Sequence, residues 1–295
     1  MRFSKTFRDD SIREFGNLAN KHQAQMQRSS VRLTNRRFTA SGVLVRDRDG
    51  VAGIITAKHN LWMNERSRND KFPEPATWDD AKANEMVENF LIDLHVGYNA
   101  TLGGLPASTE PLDPNKGDIE FRSDGNDDWS YDLMFIAFKE DLSIRDWMND
   151  RRSPAGIDYD TRKDRSVNDH FYARQMLGRQ VFITGFGDQL NHAGRGTGGL
   201  SNSLQVRAAN VAANATTALR MEPSEVYEQV LPINASDNSS TAPGDSGGPV
   251  FTIDNRRLLL VGATLGANFA ARRLMGGSPI VNNAATFIVR QGRLF

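Results

Sequence analysis

Residues 244–249, with the sequence GDSGGP, set one serine among residues suited to nucleophilic acyl transfer. A serine hydroxyl becomes a good nucleophile only when a base removes its proton, and the oxyanion then formed needs backbone N–H donors nearby. Glycines allow the main chain to turn tightly and to present such donors without a Cβ in the way. Ser246 is therefore the candidate nucleophile, and the chain should also contain a base and an acid that orients the base.

His59 is the candidate base among the five histidines of the chain. It ends residues 51–59 (VAGIITAKH), an apolar run of β-type composition that predicts a buried strand delivering an imidazole to a loop. The remaining histidines lack a context that suggests catalysis and are interpreted as surface or structural residues; they are His22, His95, His170 and His192.

Asp132 is the candidate acid, because it stands directly before the apolar run of residues 133–138 (LMFIAF). A carboxylate at the mouth of a buried strand would be partly desolvated, as is required of a group that fixes a histidine tautomer. Taken alone, Asp132 is better interpreted as an aspartate that starts a core strand by turn chemistry. Its combination with His59 and Ser246 favours the catalytic interpretation.

The order of these residues in the chain separates the classes of serine hydrolase. The G-x-S-x-G elbow of α/β-hydrolases is also satisfied around Ser246, but there the histidine follows the serine, and no histidine follows His192 here. A subtilisin order would need an aspartate at a strand end before His59, and the early aspartates lie in charged, turn-like surroundings. The order that remains, His59, Asp132, Ser246, is that of chymotrypsin.

At these residues the sequence resembles the trypsin/chymotrypsin-like serine peptidases. Residues 56–59 (TAKH) resemble the histidine segment of the family, Asp132 and the residues after it resemble its acid strand, and residues 244–249 match its nucleophile motif in full. Residues 41–45 (SGVLV) and 181–187 (VFITGFG) resemble two further strands. The resemblance implies an all-β fold of two antiparallel β-barrels of chymotrypsin type, with an N-terminal helix and a helical insertion.

The expected domain organisation follows from this resemblance. It comprises an N-terminal amphipathic helix in residues 1–30, a first barrel in 31–150 that carries His59 and Asp132, a linker in 151–170, and a second barrel in 171–295 that carries Ser246. The first barrel contains an insertion at about residues 61–89, in which Thr77 is a helix N-cap candidate, and this helix could wall the cleft.

Apolar residues at helical spacing between Asp9 and Gln27 predict the N-terminal helix. Its expected role is to brace the body of the protein, and docking of a partner or regulator is the alternative.

The resemblance also implies a mechanism and a substrate pocket. Ser246 Oγ attacks a peptide or ester carbonyl, His59 accepts and returns the proton, Asp132 holds the imidazole, and the backbone N–H groups of Gly244 and Ser246 form the oxyanion hole. The pocket residues are Ser240, six positions before the nucleophile and at the pocket floor, and Leu265, Gly266 and Ala267. A neutral Ser240 predicts cleavage after an uncharged residue. The alternative is that Asp237, close by in the sequence, lies at the pocket floor and favours cleavage after Arg or Lys.

Asp245 is expected to have a structural role. In zymogen-activated relatives its counterpart pairs with a new N-terminus freed by cleavage, and no segment of that kind precedes Ser41. Asp245 must therefore be held by another group, and no activating cut near residue 30 is expected.

Composition narrows the classes of partner. The net charge is zero, from 36 basic and 36 acidic residues, which argues against a nucleic-acid or membrane partner. Cysteine is absent, which favours a reducing compartment or a bacterial-type lineage. No N-terminal secretory signal is evident, and we expect a cytoplasmic protein, with a mature form that has lost its leader as the alternative. No metal-binding spacing or cofactor motif is found.

The expected partner is a protein or peptide substrate, with an activating or regulatory protein as a further possibility. The competing functions are a catalytically silent binding module on the same scaffold, an esterase, and a viral-type processing enzyme.

Overall fold

A computed structural model describes the following parts of the chain: residues 9–34, 39–46, 52–57, 60, 92–96, 108–112, 119–122, 134–138, 177–187, 204–211, 216–222, 225–235, 244–266 and 283–287. The predicted helical insertion at 61–89 and the linker at 151–170 lie outside these residues.

The first half of the described chain forms one seven-stranded antiparallel sheet. Its strands are β1 (Ser30–Thr34), β2 (Thr39–Arg46), β3 (Ala52–Thr56), β4 (Ile92–Val96), β5 (Ser108–Leu112), β6 (Ile119–Arg122) and β7 (Met134–Phe138), in the spatial order β5-β4-β1-β2-β3-β7-β6. Strands β3 and β7 lie side by side and are buried along their whole length, because both are continuous apolar runs.

The second half forms another seven-stranded antiparallel sheet. Its strands are β8 (Gln180–Gly185), β9 (Gln205–Val211), β10 (Thr216–Glu222), β11 (Glu225–Ala235), β12 (Pro249–Asp254), β13 (Arg257–Gly266) and β14 (Asn283–Phe287). The spatial order is β10-β11-β14-β13-β12-β8-β9, and β9 also pairs with β11. This extra pairing joins β11, β14, β13, β12, β8 and β9 into a ring. The all-β, antiparallel character predicted from the sequence is confirmed.

The β12–β13 hairpin shows how local sequence sets this geometry. Asp254 pairs with Arg257, so the loop consists of Asn255 and Arg256, whose φ angles are 48° and 63°. Positive φ at both central residues matches the right-handed twist of the flanking strands.

The N-terminal segment contains two helices, α1 (Asp9–Gly16) and α2 (Asn20–Ser29). The prediction of one continuous helix was wrong, because the poor helix former Gly16 ends α1 and Ala19 adopts an extended conformation (φ −57°, ψ 137°) before α2 begins. Phe15 packs edge-on against Phe182 of β8, with ring centroids 6.5 Å apart.

One apolar core joins these parts. It contains Phe15 and Met26 from the helices and buried side chains from both sheets, among them Val43, Ile55, Phe135, Phe182, Phe251 and Leu260. The N-terminal helices therefore pack against the body of the protein as the bracing role requires. Neither helix in the described part of the chain has the length and apolar run that crossing a membrane would need.

Candidate active site

The nucleophile loop, residues 244–248, directly precedes β12 and carries the half-buried Ser246. Gly244 lies in the same loop. Leu265 and Gly266 are the last two residues of β13. Four further predicted site residues lie outside the described segments: His59, Asp132, Ser240 and Ala267.

The backbone of the nucleophile loop is hydrogen-bonded to β13. The N–H of Gly247 donates to the carbonyl of Thr264 at 2.8 Å, and the N–H of Thr264 donates to the carbonyl of Gly248 at 2.8 Å. Gly244 and Gly247 have φ angles of 98° and 79°, values that L-residues rarely adopt. The two glycines thus permit a turn that other residues would strain.

Two N–H groups of this loop are candidates for binding an anion. Among the described residues, no acceptor takes the N–H of Gly244 or that of Ser246. The N–H of Gly248, in contrast, donates to the carbonyl of Asp245 at 2.8 Å. Because a trans peptide is planar, the Ser246 N–H points opposite to the Asp245 carbonyl and so away from this turn. The loop therefore offers the donors that an oxyanion hole requires.

Asp245, which precedes the nucleophile, is fully buried and paired with an arginine. Its Oδ2 lies 2.7 Å from Nη1 of Arg207 in β9, and the side chains of Arg207 and Asp245 are 3% and 0% exposed. Its Oδ1 accepts a hydrogen bond from the backbone N–H of Gly187 at 2.8 Å. A Cβ on Gly185 or Gly187 would overlap the Asp245 carboxyl group, so both glycines leave room for it. This arrangement explains how Asp245 is held without a freed N-terminus.

Residues on both sides of His59 in the chain contact the nucleophile loop. Nδ2 of the buried Asn60 donates to the carbonyl of Ser246 at 3.1 Å. Gly247 lies so close to the end of β3 that an added Cβ would stand 2.6 Å from the backbone nitrogen of Ala57. The loop that carries the nucleophile is therefore adjacent to the segment that carries the candidate base.

The pairing of β3 with β7 bears on the candidate acid. Thr56 at the end of β3 pairs with Met134 at the start of β7, and the two strands are antiparallel. The end of β3 and the start of β7 consequently lie at the same edge of the sheet. In the sequence, His59 follows the end of β3 by three residues, and Asp132 precedes the start of β7 by two.

Arg207 and Asn60 are site residues that the sequence did not identify. Arg207 occurs in QVRAANV, a strand that contains no motif, and Asn60 is one polar residue in a chain rich in Asn. The requirement for a group that holds Asp245 was the single signal, and it did not say which basic residue would meet it.

Comparisons with known proteins found one matching family model and similar solved structures. The model of the Trypsin family matches residues 121–287, more than half of the chain, and this range includes Asp132 and Ser246 but begins after His59. One similar solved structure is described as "Crystal structure of Rv3671c protease, inactive form". It has 13% sequence identity and a TM-score of 0.46, and the match covers 97% of this chain and 93% of that chain. No curated protein matches the chain. Because the family model spans the nucleophile loop and every strand of the second sheet, the chain belongs to the trypsin family.

Proposed function

We propose that this protein is a serine endopeptidase that hydrolyses peptide bonds through Ser246, His59 and Asp132. The observation that carries the proposal is the contact of the nucleophile loop with residues on both sides of His59, namely Ala57 and Asn60. Membership of the trypsin family supports the same chemistry.

The proposed mechanism assigns one role to each group. His59 takes the proton from Ser246 Oγ as the hydroxyl attacks the substrate carbonyl, and it returns that proton to the leaving amine. Asp132 fixes the imidazole tautomer and stabilises the imidazolium. Water then hydrolyses the acyl-enzyme by the same sequence of proton transfers.

The N–H groups of Gly244 and Ser246 bind the developing oxyanion in this proposal. Each such donor stabilises the transition state by about 3–4 kcal/mol. The absence of an internal acceptor for either group among the described residues supports this assignment, because a donor already bonded within the loop would be unable to serve.

We further propose that the two sheets form the two β-barrels of the family, with the cleft between them. The ring made by β9 and β11 with the strands between them supports this for the second sheet. The substrate pocket is assigned to Ser240 and residues 265–267. This is supported by Thr264, which is bonded to the nucleophile loop immediately before those residues.

Labelling with a fluorophosphonate probe tests the proposed function. The wild-type protein should react at one site, the labelled peptide should contain Ser246, and Ser246→Ala should abolish labelling. A lack of labelling in purified protein that is reversed by cell lysate would indicate an activating partner. A lack of labelling in both conditions would favour a catalytically silent binding module.

A comparison of substrates separates the remaining classes of hydrolase. An endopeptidase should cleave internal amide bonds in a peptide library with turnover that depends on Ser246. An esterase would hydrolyse activated esters and leave the peptide library intact. Cleavage restricted to one particular sequence, with the other peptides of the library left intact, would indicate a processing enzyme.

A further inference from the structure

Three fully buried polar residues connect the first sheet to the nucleophile loop: Ser41 of β2, Thr56 of β3, and Asn60. Nδ2 of Asn60 donates to Oγ1 of Thr56 at 2.9 Å as well as to the carbonyl of Ser246. Oγ1 of Thr56 donates to the carbonyl of Ser41 at 2.8 Å. Together they form a continuous buried network that begins one residue after His59 and ends on the loop that bears Ser246.

Ser41 makes two contacts of its own with the nucleophile loop. Its Oγ donates to the carbonyl of Gly244 at 2.7 Å, and its backbone N–H donates to the carbonyl of Ser246 at 3.0 Å. The same Oγ accepts a hydrogen bond from the N–H of Phe186 at 3.0 Å. The carbonyls on both sides of the Asp245–Ser246 peptide are thus held by the first sheet.

The donor and acceptor capacities of these groups permit one arrangement of the hydrogen bonds. A carbonyl can only accept, so the single hydroxyl proton of Thr56 points to Ser41, and Thr56 Oγ1 must accept from Asn60. The Ser246 carbonyl also accepts only, so both protons of the Asn60 amide are used and its orientation is fixed. Oδ1 of Asn60 is buried and has no partner in the described part of the chain.

We propose that Asn60, Thr56 and Ser41 are positioning residues that set the nucleophile loop against the segment carrying His59. This inference rests on the proposed peptidase function. The network acts through the carbonyls of Gly244 and Ser246, which flank the peptide whose N–H is assigned to the oxyanion hole. A small displacement there would misplace both the hydroxyl and the donors, and a shift of about 1 Å can reduce a rate by about 100-fold.

Asn60→Asp is the most direct test, because it keeps the size of the side chain and replaces the NH2 donor with an acceptor. The new carboxylate oxygen would face the carbonyl of Ser246, and both groups are acceptors. The single hydroxyl proton of Thr56 could not be donated both to the new carboxylate and to the carbonyl of Ser41. We expect kcat per active site to fall by about 10- to 100-fold, with KM within about twofold of the wild-type value. Active sites are counted by fluorophosphonate titration. Asn17→Asp, an exposed residue between the two helices, makes the same chemical change and should keep wild-type values.

A matched pair at Thr56 provides an independent test if Asn60→Asp fails to fold. Thr56→Val keeps the shape and removes the hydroxyl, and it should lower kcat per titrated site in the manner of Asn60→Asp. Thr56→Ser restores the hydroxyl and should recover most of that loss. The double variant Asn60→Asp/Thr56→Val should lose less than the product of the single losses, because both act on one network.

The outcomes separate this inference from the proposed function. If Asn60→Asp and Thr56→Val reduce only the melting temperature or the number of titratable sites, with kcat per site unchanged, the residues are merely structural and the inference is wrong. If the wild-type protein shows no labelling or hydrolysis that depends on Ser246, the peptidase proposal itself is refuted, and the inference with it.

Discussion

Replacing Arg207 with methionine tests how the nucleophile loop is held in place. Methionine keeps an unbranched apolar stem of similar reach but removes the guanidinium that lies 2.7 Å from Asp245. The carboxylate, which is 0% exposed, would then lose its charged partner directly beside the nucleophile Ser246. We expect a large loss, because an uncompensated buried charge is far more costly than an absent pair.

The size of the loss follows from the burial of both partners. Removing one member of a buried ion pair typically costs about 3–5 kcal/mol. If Asp245 escapes to water by displacing the loop, the cost falls on the active conformation, and activity drops by about 140- to 3,700-fold at about 1.4 kcal/mol for each factor of ten. If the cost falls on global unfolding instead, the melting temperature drops by about 2–4 °C for each kcal/mol.

The assay is the rate of fluorophosphonate labelling and of peptide hydrolysis, with a melting curve for every variant. Asp245→Asn and the double variant Arg207→Met/Asp245→Asn complete a double-mutant cycle. The double variant should recover at least about tenfold relative to Arg207→Met, because it leaves no unpaired buried charge.

Arg179 supplies a matched control on the same sheet. Its Nη1 lies 3.0 Å from Oδ1 of Asp254, but the two side chains are 29% and 17% exposed. Arg179→Met should therefore cost less than Arg207→Met and leave the labelling rate unchanged, because its partner carboxylate keeps access to water. If Arg207→Met behaves like Arg179→Met in both activity and melting temperature, the ion pair does not hold the nucleophile loop and the reasoning fails.

The remaining predictions address the chemistry, the activation and the pocket. Ser246→Ala should abolish hydrolysis with the fold retained, and His59→Ala should lose nearly as much, since the members of a triad act as a unit; more than a few per cent of residual turnover in Ser246→Ala would contradict the assignment. Fully active protein should have an intact mass without a cut near residue 30, because Arg207 already pairs with Asp245, and finding only active species truncated before Ser41 would overturn this. Cleavage profiled with a proteome-derived peptide library should follow uncharged residues, since Ser240 offers no charge at the pocket floor, whereas dominant cleavage after Arg or Lys would point to an acid there.

Strands that pair with neighbours on both sides could be predicted from the sequence, and strands that pair on one side only could not. The run that forms β3 and the β12–β13 hairpin carry strong apolar patterns, because they pack against neighbours on both sides. Strands β5, β6 and β10 each pair with a single neighbour among the described strands, and none of them carries such an apolar run. In β5, Pro111 even argues against a strand, yet an end position tolerates a residue that lacks an N–H donor.

The same distinction applies within the candidate site. Ser246 could be found from sequence because its chemistry needs particular neighbours in the chain, and those neighbours form a recognisable motif. Arg207 and Asn60 reach the nucleophile loop from distant positions, and their polar character becomes informative only when the fold buries them. Burial is a property of the packed sheets and has no local signature.

The contacts around the nucleophile loop suggest why a chain without cysteine can hold such a loop in position. Thr264 fixes its backbone from β13, Arg207 neutralises its buried carboxylate from β9, and Ser41 and Asn60 bind its carbonyls from the first sheet. Any one neutral hydrogen bond contributes only about 1 kcal/mol, but these contacts approach the loop from separate strands and restrain it in different directions. Loss of one contact would free the loop to move in the direction that this contact restrains. Activity should therefore depend on loss of any one of these contacts more steeply than overall stability does, and the Arg207 and Asn60 variants measure that difference directly.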